Sequence, residues 1–502
     1  MATATDGEFA GASFSGGACE NLDGEGNILT GKRLDDAGGL QLRIDGKWPS
    51  STLRRGGNTT PCDLASLRTR RRDVSSLNGR TKAQAKMEYI VLEKHQDILT
   101  TLGGTIGLLP NGARILDQLG IYEAIEDVAC PVTVAHTTFP DGFVFRDDYP
   151  AAIHERKVRV PSVDPHSTQP DPSVVQCALK PRHGQNRTEG DEDCDVVVGA
   201  DGVHSVVRSQ MWQLANTVHP GLVSEEEQRN MRAEYSCVFG MASPIEGINA
   251  GEQLIACHDD TAILVFPEKN DCIGWALIQK LDKPCIYPNM PRFSPKQTIA
   301  MGQAAADLPV YRKIRFGDLW ARTATRQSTV LEEGLLQTWH HGRIVCVGDS
   351  MTPNIAQGAN TGIEGAAALA NVLLRIGRIP NPSEAEIAPL LQTYAECHQN
   401  RLRHIHAISH AATRGHTRSG WFQKLAGRYI YPVTPNAVLG LLGGIFEGAP
   451  CLEYVPLPAR CQGGWDKKTH SYHMAELVGG ILVIGLALLV ACCFVTSQPR
   501  QM

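Results

Sequence analysis

The chain has 502 residues, of which 20% are charged, and a formal net charge of -5. This length allows two or three domains, or one two-lobed α/β enzyme with additions. The slightly acidic balance argues against nucleic acid as a partner, because no basic surface dominates. The 15 cysteines are scattered without the CxxC spacing of a zinc site, so we predict reduced thiols and no bound metal.

The N-terminal part of the chain carries little structural signal. Residues 1–86 are rich in Gly, Ser, Asp and Arg without a sustained period of 2 or 3.6, which predicts a disordered extension. The apolar run at 87–93 (MEYIVLE) predicts a strand that ends at Glu93. An acidic residue at such a strand end can bind ribose hydroxyls in a dinucleotide fold, and the alternative is a surface glutamate.

The next segments alternate between glycine-rich, helical and sheet-like patterns. The glycines of 103–107 (GGTIG) either permit close approach to a cofactor or form an ordinary loop. Residues 111–119 (NGARILDQL) have apolar positions at helical spacing. Residues 155–193 are polar and Pro-rich and predict a loop. The alternation of apolar and polar residues over 230–290 predicts an antiparallel sheet.

Two apolar runs end in turns that contain glycine and aspartate. Residues 195–202 (DVVVGADG) predict a buried strand with Asp201 in the turn, and 344–349 (IVCVGD) predict a strand that ends at Asp349. A loop and an Ala-rich helix follow the second strand. A helix N-terminus offers unpaired N–H groups, and a carboxylate accepts hydrogen bonds from ribose hydroxyls. This segment therefore predicts a site for a phosphorylated ligand, with an ordinary strand–turn–helix connection as the alternative.

The C-terminal part predicts a helical region and a membrane anchor. Residues 384–413 have a helical pattern, whereas 477–495 contain no charge and are long enough to span a bilayer. Lys467 and Lys468 precede this segment, so the positive-inside rule predicts a single-pass anchor with the main body in the cytosol, as expected for the endoplasmic reticulum. The shorter apolar stretch at 437–446 either lies at an interface or packs in a core.

Several segments together resemble a known family. GADGVHSVVR and GDSMTPN followed by QGAN resemble the two internal signatures of class A flavin monooxygenases, which have the para-hydroxybenzoate hydroxylase fold. EYIVLEKHQDI, GTIGLLPNGARILDQLG and LEYVPLPARCQGGW are similar to fungal membrane-associated members of meroterpenoid and indole-diterpene biosynthesis. The resemblance covers residues 88–155 and 194–495.

The resemblance implies an α/β (α+β) fold with a Rossmann-like FAD-binding domain and an antiparallel-sheet substrate domain. The implied parts are the N-terminal extension (1–86), the FAD-binding domain (87–230 and 320–376), the substrate-domain sheet (231–319), the C-terminal helical region (377–475) and the transmembrane helix (477–495).

The resemblance also implies the residues that bind FAD. Glu93 would bind the adenosine ribose, Gly107 would contact FAD, and Asp349 would bind the ribityl or pyrophosphate portion. The backbone at Ala359 in QGAN would face the flavin. Asp201 would serve both FAD and the reducing nicotinamide cofactor.

The implied reaction is the flavin's own chemistry. NADPH reduces FAD, and one oxygen atom of O₂ passes to the substrate, while the protein supplies binding, orientation and a dry pocket. A tyrosine shortly after the DG motif is catalytic in some members; Tyr235 stands at that place, although it could equally be a packed sheet residue. The membrane tail suits a hydrophobic prenylated substrate whose terminal alkene is epoxidised.

Three features depart from the family pattern. The place of the first strand and its GxGxxG loop, just before Glu88, holds SLNGRTKAQAKM. Residues 155–193 replace a helix that carries an FAD-contacting arginine, and the family has a few more residues between Ser350 and Met351. A flavin-free, membrane-anchored relic without activity is therefore the rival hypothesis. A hydroxylase of soluble aromatic acids is a third, which the membrane tail disfavours.

Overall fold

The computed structural model describes residues 43–44, 87, 105–148, 150, 161–163, 193–269, 272–434, 445–446 and 448–458. Its strands are β1 (Arg43–Ile44), β2 (Ile106–Gly107), β3 (Cys130–Pro131), β4 (Val134–Thr138), β5 (Val144–Asp147), β6 (Pro161–Val163), β7 (Asp193–Cys194), β8 (Val197–Gly199), β9 (Met231–Ala242), β10 (Glu252–His258), β11 (Thr261–Pro267), β12 (Ile273–Ile286), β13 (Pro309–Tyr311), β14 (Ile314–Arg315), β15 (Thr323–Gly334), β16 (His340–His341) and β17 (Ile344–Cys346). Its α-helices are α1 (Pro110–Gln118), α2 (Tyr122–Val128), α3 (Val206–Val218), α4 (Glu225–Gln228), α5 (Pro295–Ala304), α6 (Phe316–Ala321), α7 (Gly358–Ile376), α8 (Glu384–His416) and α9 (Trp421–Leu425).

The largest sheet has seven strands in the order β15-β9-β12-β11-β10-β4-β5. Neighbouring strands are antiparallel except for β10 and β4, which are parallel. The sheet predicted over 230–290 is confirmed, since β9 to β12 lie in that range. The same sheet also contains β4, β5 and β15, which the predicted boundaries assign to the FAD-binding domain. The predicted boundaries are wrong here because the local alternation of side chains does not show which distant strands pair with each other.

One face of this sheet is covered by α5 and α6. The ring of Trp275 meets Phe316 edge-on with 5.0 Å between centroids, and its indole N–H donates to Thr323 Oγ1 at 2.9 Å. A Cβ atom on Gly302 would lie 2.2 Å from the ring of Trp320, so only glycine lets α5 approach α6 this closely. This face is therefore closed by aromatic packing.

A smaller sheet joins the two strands that end in acidic turns. Its order is β16-β17-β8, and β17 and β8 are parallel, with Cys346 opposite Gly199. The strands predicted within 195–202 and 344–349 are thus present. The second is buried, whereas the burial predicted for the first is wrong at Val198, which is 39% exposed because none of the described helices covers that side of β8. Because parallel strands end at the same edge of a sheet, the turns that follow Gly199 and Cys346 are neighbours, which is where α/β folds bind ligands.

The helices α7 and α8 pack on this smaller sheet, and α1 packs on α7. The helices predicted at 111–119 and 384–413 are confirmed as α1 and α8. The core between the sheet and α7 and α8 is closed by fully buried aliphatic side chains, among them Val345, Leu369, Leu391 and Leu402. The described chain is therefore a mixed α/β fold whose acidic turns lie between a buried core and the large sheet.

Several predictions concern residues outside the described part. Apart from Arg43–Ile44 and Met87, the N-terminal extension, the strand at 87–93 with Glu93, and the apolar segment 477–495 lie there. Arg43–Ile44 form β1, which pairs in parallel with β7, so the disorder predicted over 1–86 does not hold at these two residues. Within the described part of the chain, no helix combines the length and apolar character needed to cross a membrane. The loop predicted over 155–193 contains β6 and the first residue of β7. At the end of the apolar stretch 437–446, Ile445 is buried in the core.

Candidate active site

The turn after β17 sets Asp349 in a fixed position. Gly348 has a φ of 67°, in the left-handed region that favours glycine, and begins a short 3₁₀ turn. The hydroxyl of Ser350 donates to the carbonyl of Gly199 at 3.0 Å. The acidic turn is therefore tied to the end of the parallel neighbour β8.

The loop that connects Asp349 to α7 contains unpaired acceptors. Asp349 Oδ1, Asn354 Oδ1 and Gln357 Oε1 are buried and have no hydrogen-bond partner among the described residues. Buried polar atoms in folded proteins are nearly always paired, so three such oxygens in one loop indicate a ligand that donates hydrogen bonds. Burial raises the pKa of the Asp349 carboxyl, as expected for a carboxyl that lacks a cationic partner.

The N-terminus of α7 faces the same loop. A Cβ atom on Gly358 would lie 2.9 Å from Asp349 Oδ1, so glycine permits this close approach. None of the described side chains caps the helix. The first N–H groups of a helix have no partner within it and carry its positive dipole end. Ala359, in this first turn, is exposed. Backbone donors and carboxylate acceptors therefore lie side by side.

Asn360 joins the glycine segment near β2 to this helix end. Its amide Nδ2 donates to the carbonyl of Gly107 at 2.9 Å, and its Oδ1 accepts from the N–H of Leu109 at 2.9 Å. Gly107 is exposed, and a Cβ atom there would meet nothing within 4 Å. The structure thus brings Gly107 and Ala359, predicted separately, to one end of α7.

Asp201 caps a different helix. One carboxylate oxygen accepts from the N–H groups of Val206 at 2.7 Å and Val207 at 3.1 Å, and the other accepts from the Ser205 hydroxyl at 2.5 Å. Asp201 therefore fastens α3 to the end of β8. Its contact with FAD and the nicotinamide cofactor stays a prediction. Glu93, the predicted ribose ligand, lies outside the described residues.

Arg208 connects the turn that follows β8 to the turn that follows β17. It is almost fully buried and donates to the carbonyls of Ser350 and Val203, the latter at 2.8 Å. Its guanidinium also lies 5.4 Å from the ring centroid of Trp212 and 5.7 Å from that of Tyr287. The sequence pattern draws attention to the segment that contains Arg208 but does not indicate this bridging role.

Glu332 is a buried carboxyl beside the site that the sequence analysis did not identify. It lies on β15, its side chain is 7% exposed, and its Oε1 is 3.6 Å from His204 Nε2. Burial raises the pKa of Glu332 to about 7; the Arg208 charge opposes this rise, and the Asp349 charge adds to it. The available signal was a pair of adjacent glutamates after two apolar residues at the end of the strand (VLEEG).

Tyr235 is fully buried on β9. Its hydroxyl donates to Ser419 Oγ at 3.0 Å and lies 3.4 Å from Thr417 Oγ1. Its ring packs in a cluster with Ile355, which belongs to the loop before α7. This environment agrees with the packing alternative, and the catalytic role of Tyr235 stays a prediction.

The sheet face that carries Tyr235 is apolar and packs against the loop before α7. Four partly buried side chains surround the contact with Ile355, namely Phe239, Leu264, Ala276 and Leu331. Partly buried apolar side chains beside a polar loop form a surface that suits a hydrophobic ligand.

Comparison with known proteins gives a consistent result, although no family model matches the chain. FAD-dependent monooxygenase sdgC of Emericella nidulans is 49% identical over 413 residues, which cover 74% of this chain and 85% of that protein. FAD-dependent monooxygenase ctvC of Aspergillus terreus is 39% identical over 420 residues, with coverages of 78% and 88%. FAD-dependent monooxygenase atmM of Aspergillus flavus is 37% identical over 407 residues, with coverages of 76% and 85%.

A solved structure shares the fold. Klebsiella pneumoniae HpxO complexed with FAD and uric acid superposes with a TM-score of 0.52 at 16% identity, over 68% of this chain and 88% of that chain. At this identity the likeness concerns the fold alone.

Proposed function

The chain belongs to the FAD-dependent monooxygenases, a family of oxidoreductases, and on this premise we propose that it epoxidises the prenyl chain of a fungal terpenoid or meroterpenoid precursor. NADPH is the proposed reductant and O₂ the oxygen donor. The proposed place in metabolism is the biosynthesis of a secondary metabolite.

The loop before α7 fits FAD. The main support for the proposal is Asp349 Oδ1, a buried carboxylate oxygen without a hydrogen-bond donor among the described residues. A hydroxyl group of the ribityl chain of FAD would supply this donor. The backbone N–H groups of Gly358 and Ala359 can donate to acceptor atoms of the ring system or the pyrophosphate. Gly107 leaves open space beside the same helix end. When bound, FAD supplies the electron transfer and oxygen activation of the reaction.

The apolar sheet face supports a hydrophobic substrate. Phe239, Leu331 and Ile355 lie together between the sheet and the cofactor loop. Apolar surface gains about 25 cal/mol per Å² when it leaves water, so a prenyl chain binds here without charged partners. In the proposed reaction these side chains orient the alkene and keep water away from the reacting atoms.

Two side chains have suitable chemistry for holding a proton near the substrate. Glu332, with a pKa raised to about 7 by burial, can hold a proton on Oε1 at neutral pH. The Tyr235 hydroxyl is held in one direction by Ser419. We assign Glu332 the role of a proton store and Tyr235 that of an oriented hydroxyl beside the substrate face.

A membrane location is part of the proposal. The uncharged apolar segment 477–495 supports a C-terminal anchor, and Lys467 and Lys468 before it support a catalytic body on the cytosolic side of the endoplasmic reticulum. A lipophilic substrate partitions into the same membrane, which would raise its concentration near the enzyme.

The competing hypothesis is a flavin-free relic, which the sequence just before Glu88 favours because it lacks the GxGxxG spacing. The full chain, purified in detergent, separates the two by its absorbance spectrum and by the FAD released on denaturation. We expect the two visible bands of oxidised flavin and about one FAD per chain. Absence of these bands after incubation with FAD would exclude the enzyme.

A matched pair of variants tests the cofactor site. Asp349→Asn should weaken FAD binding by about tenfold or more, since hydrogen bonds to a charged group contribute about 1.5–3 kcal/mol. Asp307→Asn, at a fully exposed carboxylate, should bind FAD like the wild type. Equal affinities of the two variants would exclude Asp349 as an FAD ligand.

Product analysis tests the substrate. The enzyme, supplied with NADPH and O₂, is offered a prenylated polyketide and a small phenol. An epoxide of the prenyl chain is the expected product. Hydroxylation of the phenol alone would identify a hydroxylase of soluble aromatic acids instead.

A further inference from the structure

A short segment after α8 exposes an unusual number of large apolar side chains. Six of them lie between positions 421 and 433, namely Trp421 (75% exposed), Phe422 (54%), Leu425 (45%), Tyr429 (59%), Tyr431 (39%) and Val433 (69%). We call these six side chains the aromatic patch. The other exposed large apolar side chains of the described residues are spread from Ile106 to Ile299. A contiguous apolar surface of this kind marks a contact with another molecule or with a membrane.

The composition of the segment favours a membrane surface. Four members of the aromatic patch are aromatic, and residues 418–433 contain Arg418, Lys424 and Arg428 but no acidic residue. Trp and Tyr concentrate at the headgroup level of bilayers, and basic residues beside them are attracted to anionic lipids.

The segment is held firmly against the body of the protein by ion pairs. Lys424 Nζ lies 2.7 Å from one oxygen of Asp259, Arg418 Nε lies 3.0 Å from the other, and Arg428 Nε lies 2.7 Å from Asp141. The hydrogen bond from Lys424 to Asp259 and that from Arg428 to Asp141 hold the pKa of each carboxyl below its ordinary value. Three cations face two carboxylates in these pairs, so one positive charge remains in excess and the segment does not repel anionic headgroups.

The sequence beyond the aromatic patch also favours a bilayer. No charged residue occurs between Arg428 and Glu447. Residues 459–476 separate the last described residue, Pro458, from the apolar segment 477–495. A chain of that length spans at most about 65 Å when fully extended. An anchor in the bilayer therefore keeps the aromatic patch within reach of the same membrane.

We propose that the aromatic patch lies in the headgroup region of the bilayer and forms a second membrane contact of the catalytic body. This contact is separate from the C-terminal anchor and does not depend on catalysis. It holds the body in one orientation, since two contacts with the membrane remove the rotation that a single flexible tether permits.

Tryptophan fluorescence of the full chain in phosphatidylcholine vesicles tests this orientation. Trp421→Phe isolates the emission of Trp421 as the difference from the wild type. We expect vesicles with brominated acyl chains to lower this component about twofold, because the indole of an interfacial residue reaches the upper acyl chains. We also expect aqueous iodide to leave it unchanged. Quenching by iodide and not by brominated lipid would show a patch in water and overturn the proposal.

Two variants that each add one tryptophan to the Trp421→Phe background, and whose emission is taken as the difference from Trp421→Phe, control for nonspecific adsorption. Phe422→Trp returns a probe to the aromatic patch, whereas Leu222→Trp places one at a similarly exposed site, 50% against 54%, outside it. Brominated lipid should quench only the Phe422→Trp probe. Equal quenching of both probes would indicate nonspecific adsorption, and protection of Phe422→Trp from lipid and iodide alike would indicate a protein partner. Either result overturns the proposal, and neither bears on FAD binding.

Discussion

Two carboxylates on or beside α7 have opposite surroundings. Glu364, in the second turn of the helix, is fully buried and accepts from Arg401 at both oxygens, at 2.6 and 2.7 Å. Asp349, in front of the helix N-terminus, has a buried oxygen without a partner among the described residues. A carboxylate that is fully paired within the protein holds the fold together, whereas one left unpaired is available to a ligand.

The Glu364 network joins three helices. Asn111 on α1 donates to Glu364 at 2.5 Å, and Arg401 on α8 adds the carbonyl of Ile445 as a further acceptor. Nearby, Gln118 donates to the carbonyl of Leu452 at 2.9 Å and accepts from its N–H at 2.9 Å. The network therefore positions α7, whose N-terminus forms the candidate cofactor site.

Removal of Arg401, the cation that pairs with Glu364, should have the largest effect on the stability of the protein. Arg401→Met leaves the Glu364 charge buried and uncompensated, which is expected to lower the free energy of unfolding by about 3–5 kcal/mol. Urea denaturation measures this change. The control Arg403→Met alters an exposed arginine on the same helix and should lower the stability by less than about 0.5 kcal/mol. Similar losses for both variants would contradict a structural role of the Glu364 pair.

Glu332 should show a pH-dependent effect. Since its folded-state pKa is raised from 4.5 to about 7, its contribution to stability is complete below pH 4.5 and is lost as the pH rises through about 7. Glu332→Gln removes this loss, so the stability of the variant relative to the wild type should rise by up to about 3 kcal/mol between pH 4.5 and pH 8.

Denaturation of Glu332→Gln and the wild type at pH 4.5 and pH 8 measures the difference. Glu225→Gln, at a carboxylate that is 87% exposed, serves as the control and should give a difference independent of pH. A pH-independent difference for Glu332→Gln would show that this carboxyl titrates normally.

A methyl group at Gly112 should disturb the joint between α1 and α7. Its Cβ atom would lie 2.7 Å from Asn360 Oδ1, which accepts from Leu109. Gly112→Ala should therefore destabilise the protein by about 1–3 kcal/mol and weaken FAD binding through the displaced Asn360. Gly362→Ala, with nothing within 4 Å of its Cβ, should stabilise α7 by about 0.5–1 kcal/mol. If both alanine substitutions changed the free energy of unfolding in the same direction, the close approach of Gly112 to Asn360 would be contradicted.

The smallest change in stability is expected at the unpaired carboxylate. Asp349→Asn should leave the free energy of unfolding within about 1 kcal/mol of the wild type, because no ion pair is lost. The same chemical change in Glu364→Gln leaves Arg401 without its counter-charge and should cost about 3 kcal/mol. Thermal denaturation of flavin-free protein compares the two. A larger loss for Asp349→Asn would show that Asp349 supports the fold.

The local elements of the fold were predictable from the sequence. The apolar runs at β8 and β17, the helical spacing at α1 and α8, and the alternation over β9 to β12 are properties of neighbouring residues, so a short window contains the whole signal. The family was also predictable, because the DG and GD segments are contiguous motifs. Glu93 and the anchor at 477–495 stay predictions, since they lie outside the described residues.

Other features depended on contacts between distant parts of the chain. Asn360 and Glu364 stand one turn apart in an Ala-rich helix, and nothing local distinguishes the one that holds Gly107 from the one that binds Arg401. The pKa of Glu332 is raised by burial, which depends on the packing of elements remote in sequence. The addition of β4, β5 and β15 to the large sheet likewise results from backbone pairing.

By itself, the sequence determined strands β8 to β12 and β17, helices α1, α7 and α8, the family and the acidic turn at Asp349, because each is encoded in consecutive residues. Only the tertiary structure decided which carboxylate is paired and which is left for a ligand. The physical reason is that hydrogen bonding and desolvation depend on distances between side chains, and folding sets those distances between residues that the sequence keeps far apart.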